Sequence, residues 1–213
     1  MDCENDIELN STFDVNQPNI IITGFGPFRD IEVNSSWIAV RELAKVGIDG
    51  VNLIIKEIPV EYETVTKIIP ELWKKYKPAM VVHCGVSSSA KTLVLEQLAH
   101  NNGYESPDVT GNLPPSSCCV KCGSKCLQTK IDMYQVSHDV NSSGLQIPAV
   151  VSNDAGRYLC EFIYYTSLNV SPATAFIHVP PVDQPFSVEQ LAQGIKVAIS
   201  SMIKQLNLLP VYK

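Results

Sequence analysis

The sequence predicts an α/β protein, a three-layer α/β/α sandwich around a mixed sheet. Short β-branched runs alternate with longer segments of helical period from Asn19 onward. One of these runs, "AMVVHCGV", is apolar almost throughout, as a strand covered on both faces must be. No internal repeat is visible, and 213 residues with 45% hydrophobic content suffice for one well-filled core. A single domain over 18–213 is therefore expected. Residues 1–17, polar, aperiodic and acidic, are expected to be a disordered tail.

The elements follow in order. "NIIITG", ending at Gly24, reads as a buried strand entering a Gly/Pro turn, and "NSSWIAVRELAKVG" as a helix capped by Asn34 and stopped by Gly47. "VNLIIKEIPV" is a second strand. In "YETVTKIIPELWKKY" the residues Tyr62, Val65, Ile69, Leu72 and Tyr76 share one helical face, and Pro70 predicts a kink or an irregular turn. "AMVVHCGV" is the central strand, and "TLVLEQL" fits a strand at a sheet edge. From Asn101 to about Lys130 the chain is rich in Gly, Pro, Ser and Cys and reads as a long loop. "KIDMYQVSHDV" fits a short helix, "QIPAVVSND" a strand ending in a turn, "GRYLCEFIYYTSL" a helix and "TAFIHVPP" the last strand. In the final helix Ser187 and Gln190 make a capping box, and Val188, Leu191, Ile195, Ala198, Met202 and Leu206 form a stripe.

Bulk properties remove several classes of function. The net charge of −6 owes most of its excess to the first 17 residues, and no basic stripe is present, so nucleic acid and anionic membrane are poor partners. The N-terminus lacks the basic-then-apolar order of a secretory signal, and no apolar run approaches the ~18 residues of a membrane span. A cytoplasmic protein is expected, in which the sequons at Asn10, Asn34, Asn141 and Asn169 are chance matches. Seven cysteines, an odd number in a chain too large to need staples, fit reduced thiols. The run "CCVKCGSKC" (Cys118, Cys119, Cys122, Cys126) has zinc-like CxxC spacing but no second ligand pair, and reads rather as a solvent-facing loop.

Four features at predicted strand ends or the turns after them bear on chemistry. In "TGFGPF" the glycines and proline shape a turn presenting Phe25 and Phe28, either as core filling or as walls of an apolar pocket; no phosphate-binding glycine pattern is present. Glu96 is a carboxylate among apolar residues, either solvent-facing or buried against a cation. Cys160 lies in an amphipathic helix, where a thiol commonly fills the core, and His178 closes an apolar strand before two prolines. Cysteine, histidine and an acid are the parts of a thiol nucleophile system. The imidazole takes the thiol proton, and the carboxylate fixes its tautomer and steadies its positive charge. The dipole of the cysteine's own helix helps only within the first turn. If Asn153 caps the helix, Cys160 lies two turns in; if Gly156 delays the start to Arg157 or beyond, it lies in the first turn.

These pieces also carry a resemblance. "TGFGPF", "VNSSW", "EIPVEY", "LVLEQLAHN", "SNDAGRYLCEFIYYTSL" and "AFIHVPP" resemble, in order and spacing, the pyroglutamyl-peptidase I (pyrrolidone-carboxylate peptidase) family of cysteine peptidases. "DAGRYLC" and "YYTSL" look like its animal branch. The resemblance implies a phosphorylase/hydrolase-like sandwich, with Cys160 as nucleophile, His178 as general base and acid, Glu96 as third member, and Phe25 and Phe28 as walls of the pyroglutamyl pocket. It implies pyroglutamyl peptides as substrates and neither metal nor other cofactor. Bacterial members carry an arginine a few positions beyond the glutamate; "AHNNGYESPDVTGN" has none, and a monomer is expected in place of the microbial tetramer. A non-catalytic relative that binds pyroglutamyl peptides is the alternative, and a purine-phosphorylase-like enzyme lacks any supporting phosphate or nucleobase motif.

Overall fold

The structure, a computed structural model, describes residues 7–8, 14–28 and 33–209. In chain order its strands are β1 (Ile7–Glu8), β2 (Asn19–Phe25), β3 (Asn52–Ile58), β4 (Met80–Val86), β5 (Leu93–Glu96), β6 (Leu98–His100), β7 (Cys126–Gln128), β8 (Ala149–Ser152) and β9 (Thr174–Val179). Its helices are α1 (Ser35–Val46), α2 (Tyr62–Tyr76), α3 (Met133–Asn141), α4 (Leu159–Leu168) and α5 (Val188–Gln205).

Seven strands form one sheet in the order β1-β3-β2-β4-β9-β5-β8, and β6 and β7 form a separate antiparallel ribbon. Pairs β2–β3, β2–β4, β4–β9 and β5–β8 are parallel, while β1–β3 and β5–β9 are antiparallel, so the sheet is mixed as expected. Strand alternation sends side chains to two cores. Ile20 and Ile22 of β2 join α1, α3 and α5 in one, whereas Ile21 joins α2 and α4 in the other. Helices thus cover both faces, the third requirement of the sandwich.

Local signals account for the helix ends. Asn34 accepts from the Ser36 N–H, Gly47 takes φ +67° after α1, and Ser187 with Gln190 closes both halves of its capping box. All five residues expected on the buried face of α2 are buried. Pro70 causes no break there: α2 continues through it, and the carbonyl that the ring leaves without an intrahelical partner, four residues earlier at Thr66, is on an exposed residue.

Three expectations need correction. The strand holding Glu96 is not at an edge: β5 lies between β9 and β8, and β8, with Val150 46% exposed, is the edge. The Gly/Pro/Ser/Cys-rich middle is not wholly irregular, because Cys126–Gln128 pairs with Leu98–His100, a three-residue register too short to show a period. The tail expected over 1–17 contains ordered pieces. Ile7–Glu8 pairs with β3, and the Asn52 amide donates to the carbonyls of Asp14 and Gln17. The rest of that stretch, 1–6 and 9–13, lies outside the described residues.

Candidate active site

Asp154 to Tyr158 decides where α4 begins. The Gly156 N–H donates to Asp154 Oδ1, and Gly156 turns the chain at φ +84°. Extended Tyr158 then serves as N-cap, and Leu159 is the first helical residue. Cys160 is therefore second in the helix, inside the first turn, where N–H groups and dipole favour negative charge. Of the two helix starts that the sequence left open, the late one is found.

From that position the Cys160 sulfur reaches the sheet at Gly85 of β4. A Cβ at Gly85 would lie 2.7 Å from Cys160 Sγ and 2.8 Å from Phe176 Cζ, so only glycine admits the thiol here. Gly85 is paired in register with His178 of β9. On the other side β9 runs antiparallel to β5, with Val94 opposite His178 and Glu96 opposite Phe176. Glu96 shares a face with Val94 and reaches diagonally to the imidazole. His178 Nδ1 donates to Glu96 Oε1 at 2.9 Å, with Glu96 1% and His178 8% exposed. That bond fixes the tautomer and leaves Nε2 for the thiol.

Burial pulls the His178 pKa down, but the charge and hydrogen bond of Cys160, followed by those of Glu96, outweigh it and raise the value to about 10. The arrangement thus favours the charged imidazolium form of His178. Its walls are aromatic and hydrogen-bonded. The Phe176 and His178 rings lie 4.7 Å apart, Tyr164 packs on Phe176, and the Tyr164 hydroxyl donates to the Glu96 carbonyl at 2.8 Å.

Beside the thiol, Phe25, Phe28, Val60, Val86 and Tyr158 line a narrow apolar chamber that ends on Cys160. Phe28, Val86, Tyr158 and Cys160 also line a neighbouring cleft of about 830 Å³, large enough for a peptide segment, whose lining includes Ser87–Lys91. All five residues singled out in the sequence, Cys160, His178, Glu96, Phe25 and Phe28, line one or both of these adjoining spaces. Phe25 is 3% exposed and Phe28 half-buried. Sequence reasoning missed Gly85, Val60, Val86 and Tyr158. A glycine within the apolar run "VVHCGV" signals close backbone approach, and this was the one available clue.

The cysteine-rich loop stands apart from the pocket. Cys118, Cys119, Cys122 and Cys126 are free thiols, the first two half-buried and the others exposed. Among the described residues, the side chains of metal-binding type that converge are instead His100, Asp154 and Glu161, with ligand atoms within 4.8 Å of one another. The Arg157 guanidinium already occupies that point, 2.6 Å from both Asp154 Oδ1 and Glu161 Oε2.

An α/β/α sandwich with a thiol, an imidazole and a carboxylate meeting at the ends of its strands defines a hydrolase with the parts of a cysteine peptidase. The sequence profile described as pyroglutamyl peptidase matches residues 18–208, and the chain belongs to that family. It is 47% identical over 190 residues to human pyroglutamyl-peptidase 1, covering 88% of this chain and 91% of that one. Human pyroglutamyl-peptidase 1-like protein is 31% identical over 170 residues, 78% of this chain and 86% of the relative. The crystal structure of Bacillus amyloliquefaciens pyroglutamyl peptidase I superposes with a TM-score of 0.80 at 23% identity, over 89% of this chain and 98% of that one, which shows the shared fold.

Proposed function

We propose that this peptidase removes an N-terminal pyroglutamyl residue from peptides, using Cys160 as nucleophile, His178 as base and acid, and Glu96 as the group that orients His178. The observation that carries the reading is the placement of Cys160 Sγ at the junction of an apolar chamber and a peptide-sized cleft, within reach of a buried His178–Glu96 pair. A pyroglutamyl terminus has no free amine, so recognition rests on the shape and polarity of a flat lactam. Phe25 and Phe28 enclose the ring. Backbone groups pair its N–H and C=O, and a wrong substrate that leaves such groups unpaired loses roughly 1–3 kcal/mol for each.

The Cys160 thiolate attacks the carbonyl that joins the lactam residue to the next one. The N–H groups at the start of α4, Cys160's own included, have no intrahelical acceptor and face the developing oxyanion, a contribution of ~3 kcal/mol per donor. The C–N bond breaks as imidazolium His178 gives its proton to the leaving amine, and a thioester forms on Cys160. Water, deprotonated by neutral His178, then hydrolyses the thioester, releasing pyroglutamate and restoring the thiol.

The natural substrates are pyroglutamyl peptides, and the protein works as a cytoplasmic monomer without a cofactor. Six free thiols among the described residues suit a reducing compartment, and no described helix is long and apolar enough to cross a membrane. The test is release of fluorophore from a pyroglutamyl-coumarin substrate by wild type and Cys160→Ala. The variant is expected to be folded and inactive; retained turnover overturns the assignment. Binding of pyroglutamyl peptides by a wild type that never cleaves them would establish the non-catalytic alternative.

A further inference from the structure

The helix that carries Cys160 begins without a side-chain cap: Tyr158 makes no capping hydrogen bond. The third helical residue, Glu161, is a carboxylate with no exposed surface. In a capping box such a residue folds back onto the N-cap N–H. Here it reaches out of the helix instead. Glu161 Oε1 accepts from the His100 N–H at 3.1 Å and from His100 Nδ1 at 2.8 Å, which ties α4 to β6. Glu161 Oε2 accepts from Arg157 Nη1 at 2.6 Å, and the same nitrogen donates to Asp154 Oδ1 at 2.6 Å, which ties α4 to the turn before it. The Arg157 stem lies on Gly103, where a Cβ would come within 3.4 Å of Cδ.

We infer that Arg157 and Glu161 are positioning residues that set the place and charge environment of Cys160, by tying the uncapped start of its helix to β6 and to the turn before it. The inference rests on Cys160 being the nucleophile. Its electrostatic half is through-space, since Cys160 and Glu161 are consecutive residues in the first turn of α4. A carboxylate one residue from a thiolate, inside a protein, opposes the thiolate unless a cation cancels it. Burial pushes the Glu161 carboxyl up, and the His100 bonds and Arg157 charge hold it back. Arg157, always protonated, supplies the cancellation across the working pH range. The other titratable groups facing the cluster are His100 from β6, Asp154 from the turn, and Tyr104 and Cys119 from the loop beyond β6. Burial pushes both Tyr104 and Cys119 up, so neither carries charge near neutral pH.

The test is the pH dependence of Cys160 alkylation by iodoacetamide, read by mass spectrometry on the Cys160 peptide, beside kcat and KM for the fluorogenic substrate. For Arg157→Met alkylation near pH 6.5 is expected to slow by about tenfold, with kcat reduced more than KM is raised. Adding Glu161→Gln to Arg157→Met is expected to restore the alkylation rate, since the opposing carboxylate is gone, while kcat stays low because the ties are lost. Arg157→Lys is expected to fall between wild type and Arg157→Met. If Arg157→Met does not fold, by circular dichroism, Arg157→Lys carries the decision. Alkylation profiles and kcat coincident with wild type in a folded Arg157 variant would overturn the inference. Failure of the nucleophile assignment is distinct, because it shows as turnover in Cys160→Ala.

Discussion

Gly85 and Cys160 are in contact across the boundary between β4 and α4, so close that one added methyl at Gly85 would stand 2.7 Å from the sulfur. The strand residue offers no functional group, yet it lets the thiol sit level with the imidazole that Gly85 faces in register. Gly85→Ala is expected to push the sulfur away from His178. The same methyl presses on Phe176, so overpacking of about 1–3 kcal/mol should accompany a fall in kcat of at least tenfold. Thermal melts and steady-state rates check both, and a stable variant with unaltered kcat would separate this glycine from the site.

The His178 pKa near 10 depends first, among the groups that raise it, on Cys160. In Cys160→Ala the imidazole should titrate at lower pH than in wild type, read from the histidine C–H shifts by NMR. With His178 as the proposed acid for the leaving amine, an imidazolium that persists until about pH 10 in wild type puts the alkaline limb of the kcat profile there. The stability sign follows. A base whose folded value exceeds its unfolded 6.5 adds stability that is fully present below about 6.5 and is lost as pH rises toward 10.

Buried His83 has the opposite sign. Its only described partner is Thr23, with Nδ1 2.7 Å from the hydroxyl, and burial lowers its pKa to about 3. The unfolded chain binds a proton there near pH 6.5 and the folded one does not. His83 therefore costs stability as pH falls from 6.5 toward 3, at roughly 1.4 kcal/mol per pH unit. Urea titrations of His83→Gln between pH 7 and 4 should show a shallower acid decline than wild type.

Phe28 is half-buried at the mouth of the chamber, while Phe25 is almost fully buried beneath it. Phe28→Ala should raise KM severalfold with a modest stability change. Phe25→Ala should cost about 3–5 kcal/mol of stability as a core truncation, so its kinetic effect must be read on folded protein. A Phe28 variant with wild-type KM would remove that ring from lactam recognition.

The sandwich, six of its strands and all five described helices correspond to segments legible in the sequence, because period, caps and β-branched runs are local properties. Residue types likewise pointed to Cys160, His178, Glu96, Phe25 and Phe28, and quoted motifs gave them a family. Local pattern did not settle whether Glu96 faced water. That depended on β9 inserting antiparallel beside β5, a non-local pairing that buries the carboxylate against His178. Nor did it show why Gly85 matters, since a steric gap exists only once α4 docks on β4. Asn153 and Gly156 left two starts for α4, and the turn from Asp154 to Tyr158 chose the later one, placing Cys160 in the first turn. The sequence by itself determined which groups are present and which elements carry them. The tertiary structure alone decided their distances, burial and charge, because these arise from segments far apart in the chain being packed together.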